Sequence, residues 1–177
     1  MNLILHSCCA PCILTVVSQL PDDCSITAHF FNPNIHPYKE FEKRLLSVRK
    51  LVEEDGIPAR LEAEYLPEKF FETINGRETN RCEACYFLRL SRSAEYAKQA
   101  GADAFTTTLL CSPYQDLDLI RQIGDAVGQR YGVPFYFKDF RPGFRKGHDA
   151  ARERQLYLQP YCGCVFSEKE RYYKPGK

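Results

Sequence analysis

The stretch HSCCAPC, residues 6 to 12, brings three thiols, Cys8, Cys9 and Cys12, into one turn of chain. Adjacent cysteines cannot sensibly pair with each other, and an apolar core rarely gathers three sulfurs, so the cluster reads as a ligand set or a redox group. A second pair, Cys82 and Cys85, has Cys-x-x-Cys spacing in RCEACYFLRL, and a third, Cys162 and Cys164, lies in YCGCVFSEKER. Thiolate is the metal-binding form of cysteine, and the positive end of a helix favours it. Cys8 and Cys9 at one helix start, with Cys82 and Cys85 at another, offer four sulfurs to one metal centre. An iron–sulfur cluster is the preferred occupant. Structural zinc usually serves a small domain without a core, which a chain of 177 residues does not need. Zinc and uncoordinated thiols stay as alternatives.

Cys162 and Cys164 pose a different problem. A Cys-x-Cys stretch spans at most about 7 Å between α-carbons, the outer edge of disulfide geometry. Gly163 gives the backbone freedom to close that gap, and a strained disulfide is easily reduced. The pair therefore reads as a redox dithiol, with two further metal ligands as the alternative. Cys12 lies one turn from Cys8 and Cys9 and is a holder for a second ion or a packing residue. Cys24 and Cys111 stand alone and read as small buried hydrophobes. Among the histidines, His6 and His29 read as core residues, whereas His36 in NPNIHPY faces the presumed site. Tyr114, Gln115 and Asp116 in CSPYQD could contact substrate or donate a proton; they could equally cap a helix starting near Asp116.

The elements that must position these groups follow from hydrophobic period and punctuation. NLILHS (2–7) predicts a buried strand, and APCILTVVSQL (10–20) a helix opened by Pro11. Strands are expected at 25–31, 59–65, 104–110 and 134–140. Helices are expected at 40–55 (Phe41, Leu45, Val48 and Val52 at helical spacing), 67–74, 84–100 and 116–132. This alternation implies a three-layer α/β sandwich, with a mostly parallel sheet of about five strands covered by helices on both faces. Ligands in such folds bind beyond the carboxyl ends of the strands, where strand order switches. HSCCAPC occupies the place where nucleotide-binding folds put a phosphate loop. It is no phosphate cradle, because it holds no glycine and Pro11 removes one amide.

Hydrophobic residues make up 44% and charged residues 27%, an ordinary globular balance that suits a single domain over 1–177. No apolar stretch nears the roughly 18 residues needed to span a bilayer. The chain runs straight into NLILHS without a basic leader, so a cytoplasmic location is expected, where clustered cysteines bind metal or do redox chemistry. Net charge is +1 but uneven. Residues 138–177 hold ten Lys and Arg against five Asp and Glu, a balance of +5, and residues 1–137 hold 14 against 18, a balance of −4. The basic, aromatic-rich final segment is compatible with nucleic acid, and also with a solvated surface.

With HSCCAPC, NPNIHPYKEFEKR, RCEACYFLRL, TTTLLCSPYQD and YCGCVFSEKER in this order, the sequence resembles the QueH-type epoxyqueuosine reductases from His6 to about Arg171. The stretch Gly147 to Gln155 is not matched, so a role for His148 stays open. The resemblance implies reduction of the epoxide of a modified tRNA wobble base to an alkene, with loss of water. It implies a [4Fe–4S] cluster on Cys8, Cys9, Cys82 and Cys85, with Cys162 and Cys164 as a redox pair fed by an external electron donor. An additional mononuclear iron near Cys12 would fit the same chemistry, and cobalamin is not implied. The implied fold is related to the adenine-nucleotide α-hydrolase group. Two rivals remain, an ATP-dependent tRNA-modifying transferase of thiolase type and a zinc-stabilised RNA-binding module.

Overall fold

A computed structural model describes residues 1–175; Gly176 and Lys177, the end of the basic segment, lie outside the described residues. Strands β1 (Asn2–His6), β2 (Ser25–Phe30), β3 (Ala59–Leu61) and β4 (Ala104–Thr107) form a parallel sheet in the order β3-β2-β1-β4. β1 is central: Leu3 pairs with Ile26 on one side and Ala104 on the other, and Leu3, Ile4 and Leu5 are buried. A strand covered on both faces reads as a continuous apolar run, which is how NLILHS reads. Strand order switches between β1 and β4.

Helices α1 (Ala10–Val17) and α2 (Tyr38–Glu54) follow β1 and β2, while α3 (Pro67–Ile74) and α4 (Arg81–Gln99) follow β3. α5 (Leu117–Tyr131) follows β4, and α6 (Phe144–Glu153) and α7 (Val165–Tyr172) end the described chain. α1 packs on α6 and α2, and α4 packs on α5, β1 and β4. The helical stripe expected on α2 is buried at Phe41, Leu45, Val48 and Val52. α5 begins at Asp116, whose Oδ1 accepts from the Leu119 amide at 3.0 Å, and ends at Gly132 in the left-handed region (φ 72°).

Three expected strands are shorter. β3 stops at Leu61 because its partner β2 ends at Phe30, before Asn32 and Pro33. After β4, the Thr107 hydroxyl accepts from the Leu109 amide at 3.1 Å and turns the chain into a 3-10 turn over Thr108–Cys111. The fifth strand, expected at 134–140, is reduced to one parallel bridge, Phe105 with Phe135. There the Thr106 hydroxyl, rather than a ladder amide, binds the Tyr136 carbonyl at 2.8 Å. The sheet is therefore four-stranded, with a fifth segment docked at its edge.

The side-chain network nearest the sheet is polar and satisfied. His29 bridges the Ser93 hydroxyl and the Glu62 carboxylate, both at 2.9 Å, and Glu62 also takes Arg92. The carboxylate fixes the proton on His29 Nε2 and leaves Nδ1 to accept from Ser93. Burial pushes the His29 pKa down, and Glu62 sits at about 2: its His29 and Arg92 hydrogen bonds outweigh a burial penalty that pushes the other way. His29 is thus the core residue the sequence suggested.

Candidate metal and redox site

The carboxyl ends of β1 and β4 meet at the strand-order switch, where the Cys8 amide donates to Thr108 Oγ1 at 3.3 Å. Cys9 is the N-cap of α1, with Pro11 in its first turn. This places the sulfurs of Cys8, Cys9 and Cys12 within 4.8 Å of one another, all buried. Cys12, expected either to hold a second ion or to pack, lies in one group with Cys8 and Cys9. Three such sulfurs cannot all ionise without a cation between them. Thiol donors from Cys12 and Cys9 stabilise the Cys8 thiolate and draw its pKa well down. Burial raises Cys9, and hydrogen bonding with Cys111 and Cys8 raises Cys12. Gln159 Nε2 reaches Cys12 Sγ at 3.5 Å.

Cys82 and Cys85 stand one turn apart on the first turn of α4, Cys82 exposed and Cys85 buried. Cys85 packs with Phe70, Ile74 and Ala84, and Cys164 lies against the same small cluster. Arg89, one turn further along α4, brings its Nη1 to 3.9 Å from Cys85 Sγ. Burial alone would lower its pKa, but charge on Cys85, Cys8 and Cys162 outweighs this and raises it. Of these thiols Cys85 touches the guanidinium, while Cys8 and Cys162 act on it through charge alone. Burial pushes the Cys85 thiol up to about 12, whereas Cys162 is exposed.

Arg89 is 1% exposed, and its other partners are Asn32 Oδ1 at 2.9 Å and His6 Nε2 at 3.3 Å. Neither is a carboxylate. A buried cation without a counter-ion is costly unless an anion completes the site. A set of cysteine thiolates around a metal centre supplies that negative charge, so the donor set fits an iron–sulfur cluster on both ligand chemistry and charge. His6 Nε2 lies 3.2 Å from the Phe31 carbonyl and 3.3 Å from Arg89 Nε, and its Nδ1 lies 2.9 Å from Thr107 Oγ1; burial, then Arg89, holds its pKa well below the usual histidine value.

His36, Tyr114 and Asp116 follow the carboxyl ends of β2 and β4 in different roles. His36 is stacked on Phe71 at 5.0 Å, and its Nδ1 accepts from the Val165 amide at 3.4 Å. That leaves the proton on Nε2, which is buried and without a partner among the described residues. Asp116 is engaged as the α5 cap. Tyr114 is 86% exposed. Beside it, Gln115 accepts from the Tyr86 hydroxyl at 2.7 Å and offers its Nε2 to Cys162 Sγ at 3.6 Å. Cys164 is the N-cap of α7, its sulfur accepting from the Ser167 amide at 3.4 Å. Cys111 is buried as expected, whereas Cys24 is half-exposed ahead of β2. His148 is on α6 with its Nε2 buried and unpartnered among the described residues. Sequence reasoning missed Arg89 and Arg44. Their spacing held a signal, because Cys85 and Arg89, like Glu40 and Arg44, are four apart on one helical face.

A buried thiol cluster at the switch point of a parallel sheet defines the class, an α/β protein with cysteines where nucleotide-binding folds put a phosphate loop. The U34-tRNA thiolase NcsA from Methanococcus maripaludis, solved with its [4Fe-4S] cluster, shares this fold with a TM-score of 0.55 at 13% identity, over 94% of this chain and 61% of that one. Residues 3–170 match the family epoxyqueuosine reductase QueH. The epoxyqueuosine reductase QueH of Thermotoga maritima is 38% identical over 96% of this chain and 92% of its own, and that of Dehalococcoides mccartyi is 33% identical over 99% and 97%. The chain belongs to the epoxyqueuosine reductase QueH family.

Proposed function

We propose that this chain reduces the epoxide of epoxyqueuosine in tRNA to the alkene, using a [4Fe–4S] cluster held by Cys8, Cys9, Cys82 and Cys85 together with the dithiol Cys162 and Cys164. The observation that carries this reading is the buried group of Cys8, Cys9 and Cys12 at the strand-order switch, supported by Arg89, a buried cation without a carboxylate that touches Cys85. When bound, the cluster would supply single electrons to the site. The reaction takes two electrons and two protons and releases the epoxide oxygen as water. Oxidation of Cys162 and Cys164 to a disulfide releases that number of each, and an external donor restores the dithiol. His36, with its proton on Nε2, is the candidate donor to the departing oxygen, and the exposed Tyr114 is the candidate contact to the base. Cys12 is packed so closely with Cys8 and Cys9 that it serves either as a cluster ligand or as holder of the additional iron.

Anaerobic reconstitution with iron and sulfide, incubation with epoxide-bearing tRNA and analysis of the nucleosides test this. Four or five irons per chain, a brown protein and formation of the alkene nucleoside are expected. Cys12→Ala separates the roles of Cys12, since a ligand's loss removes the cluster whereas the second ion's loss removes one iron. Stoichiometric zinc in a colourless, inactive protein would establish the RNA-binding module instead.

A further inference from the structure

The motif NPNIHPYKEFEKR has its own structural signature, distinct from the thiols. Three successive carbonyls of the redox loop are bound by it. Arg44 Nη2 donates to the Tyr161 carbonyl at 2.8 Å, Arg44 Nη1 to that of Cys162 at 2.9 Å, and the His36 amide to that of Gly163 at 2.8 Å. The Tyr161 hydroxyl returns a bond to the His36 carbonyl at 2.5 Å, and the Arg44 guanidinium lies 5.7 Å from the Tyr161 ring centre. Arg44 is 1% exposed and is itself oriented by Glu40, whose Oε1 accepts from Nε at 2.7 Å while Oε2 accepts from the Tyr157 hydroxyl. Gly163 is in a conformation that side chains rarely adopt (φ +143°), and a Cβ there would meet Ile35, Asn34 and Arg44 at 3.1, 3.3 and 3.4 Å.

We propose that Asn34 to Arg44 form a clamp that fixes the backbone of Cys162–Gly163–Cys164 in its free-dithiol conformation, with Arg44 as the positioning residue; this rests on reading the two thiols as a redox pair. The clamp touches backbone and leaves both sulfurs to other partners, Cys162 facing Gln115 and Cys164 capping α7. Every bond described belongs to the loop with its thiols reduced. Closing a bridge between residues two apart must move this backbone, and each charge-assisted bond from a buried guanidinium opposes the move. Arg44 thereby biases the pair toward the dithiol, which makes its disulfide the more readily reduced form.

The experiment equilibrates the cluster-loaded protein anaerobically in glutathione buffers, so that two thiols and one glutathione disulfide exchange for one protein disulfide and two glutathione thiols. Alkylation and mass spectrometry then read the fraction of Cys162 and Cys164 oxidised. Arg44→Met combined with Glu40→Gln, which strands no buried carboxylate, is expected to favour the disulfide roughly tenfold, about 30 mV at two electrons. Arg44→Lys should recover part of that shift. Tyr161→Phe, which loses only the bond to the His36 carbonyl, should shift it two- to threefold the same way and carries the test if the double variant does not fold. A folded variant whose equilibrium stays within twofold of the parent, or moves toward the dithiol, overturns the clamp. A parent that forms no Cys162–Cys164 disulfide at any ratio overturns the redox-pair reading instead.

Discussion

Arg89 and Arg44 are both 1% exposed, yet they are built differently. Arg44 has Glu40 as counter-ion, whereas among the described residues Arg89 has only neutral acceptors and thiols. Replacing Arg89 by Met removes an uncompensated charge from the metal-free protein, a gain of roughly 1–4 kcal/mol, but leaves Asn32 Oδ1 without its donor, a loss of roughly 1–3 kcal/mol. The two nearly cancel. Metal-free Arg89→Met should therefore unfold in urea within about 1 kcal/mol of its parent. The same variant should lose its cluster to a chelator at least tenfold faster, because the negative charge of the thiolate set is no longer balanced. Full iron retention together with a large loss of metal-free stability would show that Arg89 is only a structural residue. Unchanged metal-free stability together with faster cluster loss is a combination that a merely structural role does not give.

α6 explains a stretch that no motif assigned. Gly147 crosses α1 at Thr15, and a Cβ there would come within 2.8 Å of the Thr15 backbone and 2.0 Å of its Oγ1. Thr15 is one turn beyond Cys12, so α6 seats the helix that presents the first three thiols. Helix propensity favours Gly147→Ala by about 1 kcal/mol, but forcing a methyl against backbone costs about 1–3 kcal/mol and should win. A urea midpoint that falls for Gly147→Ala is the expected result, and a rise would show that the helices separate freely. This contact was not legible in the sequence, because a glycine inside a polar helix gives no sign of what lies opposite. The parallel sheet, by contrast, was legible, since an all-apolar β1 and amphipathic helices leave few ways to cover a strand. The fifth strand and the end of β4 misled for a shared reason. Threonine hydroxyls at 106 and 107 replace ladder bonds, and β propensity does not register that substitution. The cysteine motifs were legible by spacing, whereas the nearness of Cys12 to Cys8 and Cys9 and the buried guanidinium groups depend on side-chain direction and on contacts remote in sequence.

Across the whole molecule, the basic final segment is thinner than its balance of +5 suggests. Arg141 is paired with Asp139, Arg152 with Asp149, and Arg154 with Glu54 and Asp55. Lys169, Arg171 and Lys174 take no ion pair among the described residues, while Glu170 on the same helix is engaged by Arg81. All three basic residues follow the Cys164 cap of α7. At about 1.5 Å of rise per residue, Lys169 and Arg171 lie roughly 7 to 11 Å along the helix from that thiol. Tyr172 and Tyr173 are exposed at its end. A path for the substrate's flanking phosphates along α7 is the prediction to test, with contacts that position without reading sequence. Each phosphate neutralised contributes about −0.7 to −0.9 to the slope of log affinity against log salt. Replacing Lys169, Arg171 and Lys174 together by Ala should make that slope about 2 to 3 units shallower for tRNA. Titration at three salt concentrations measures it. A slope unchanged by the triple substitution would rule out a tRNA path along α7.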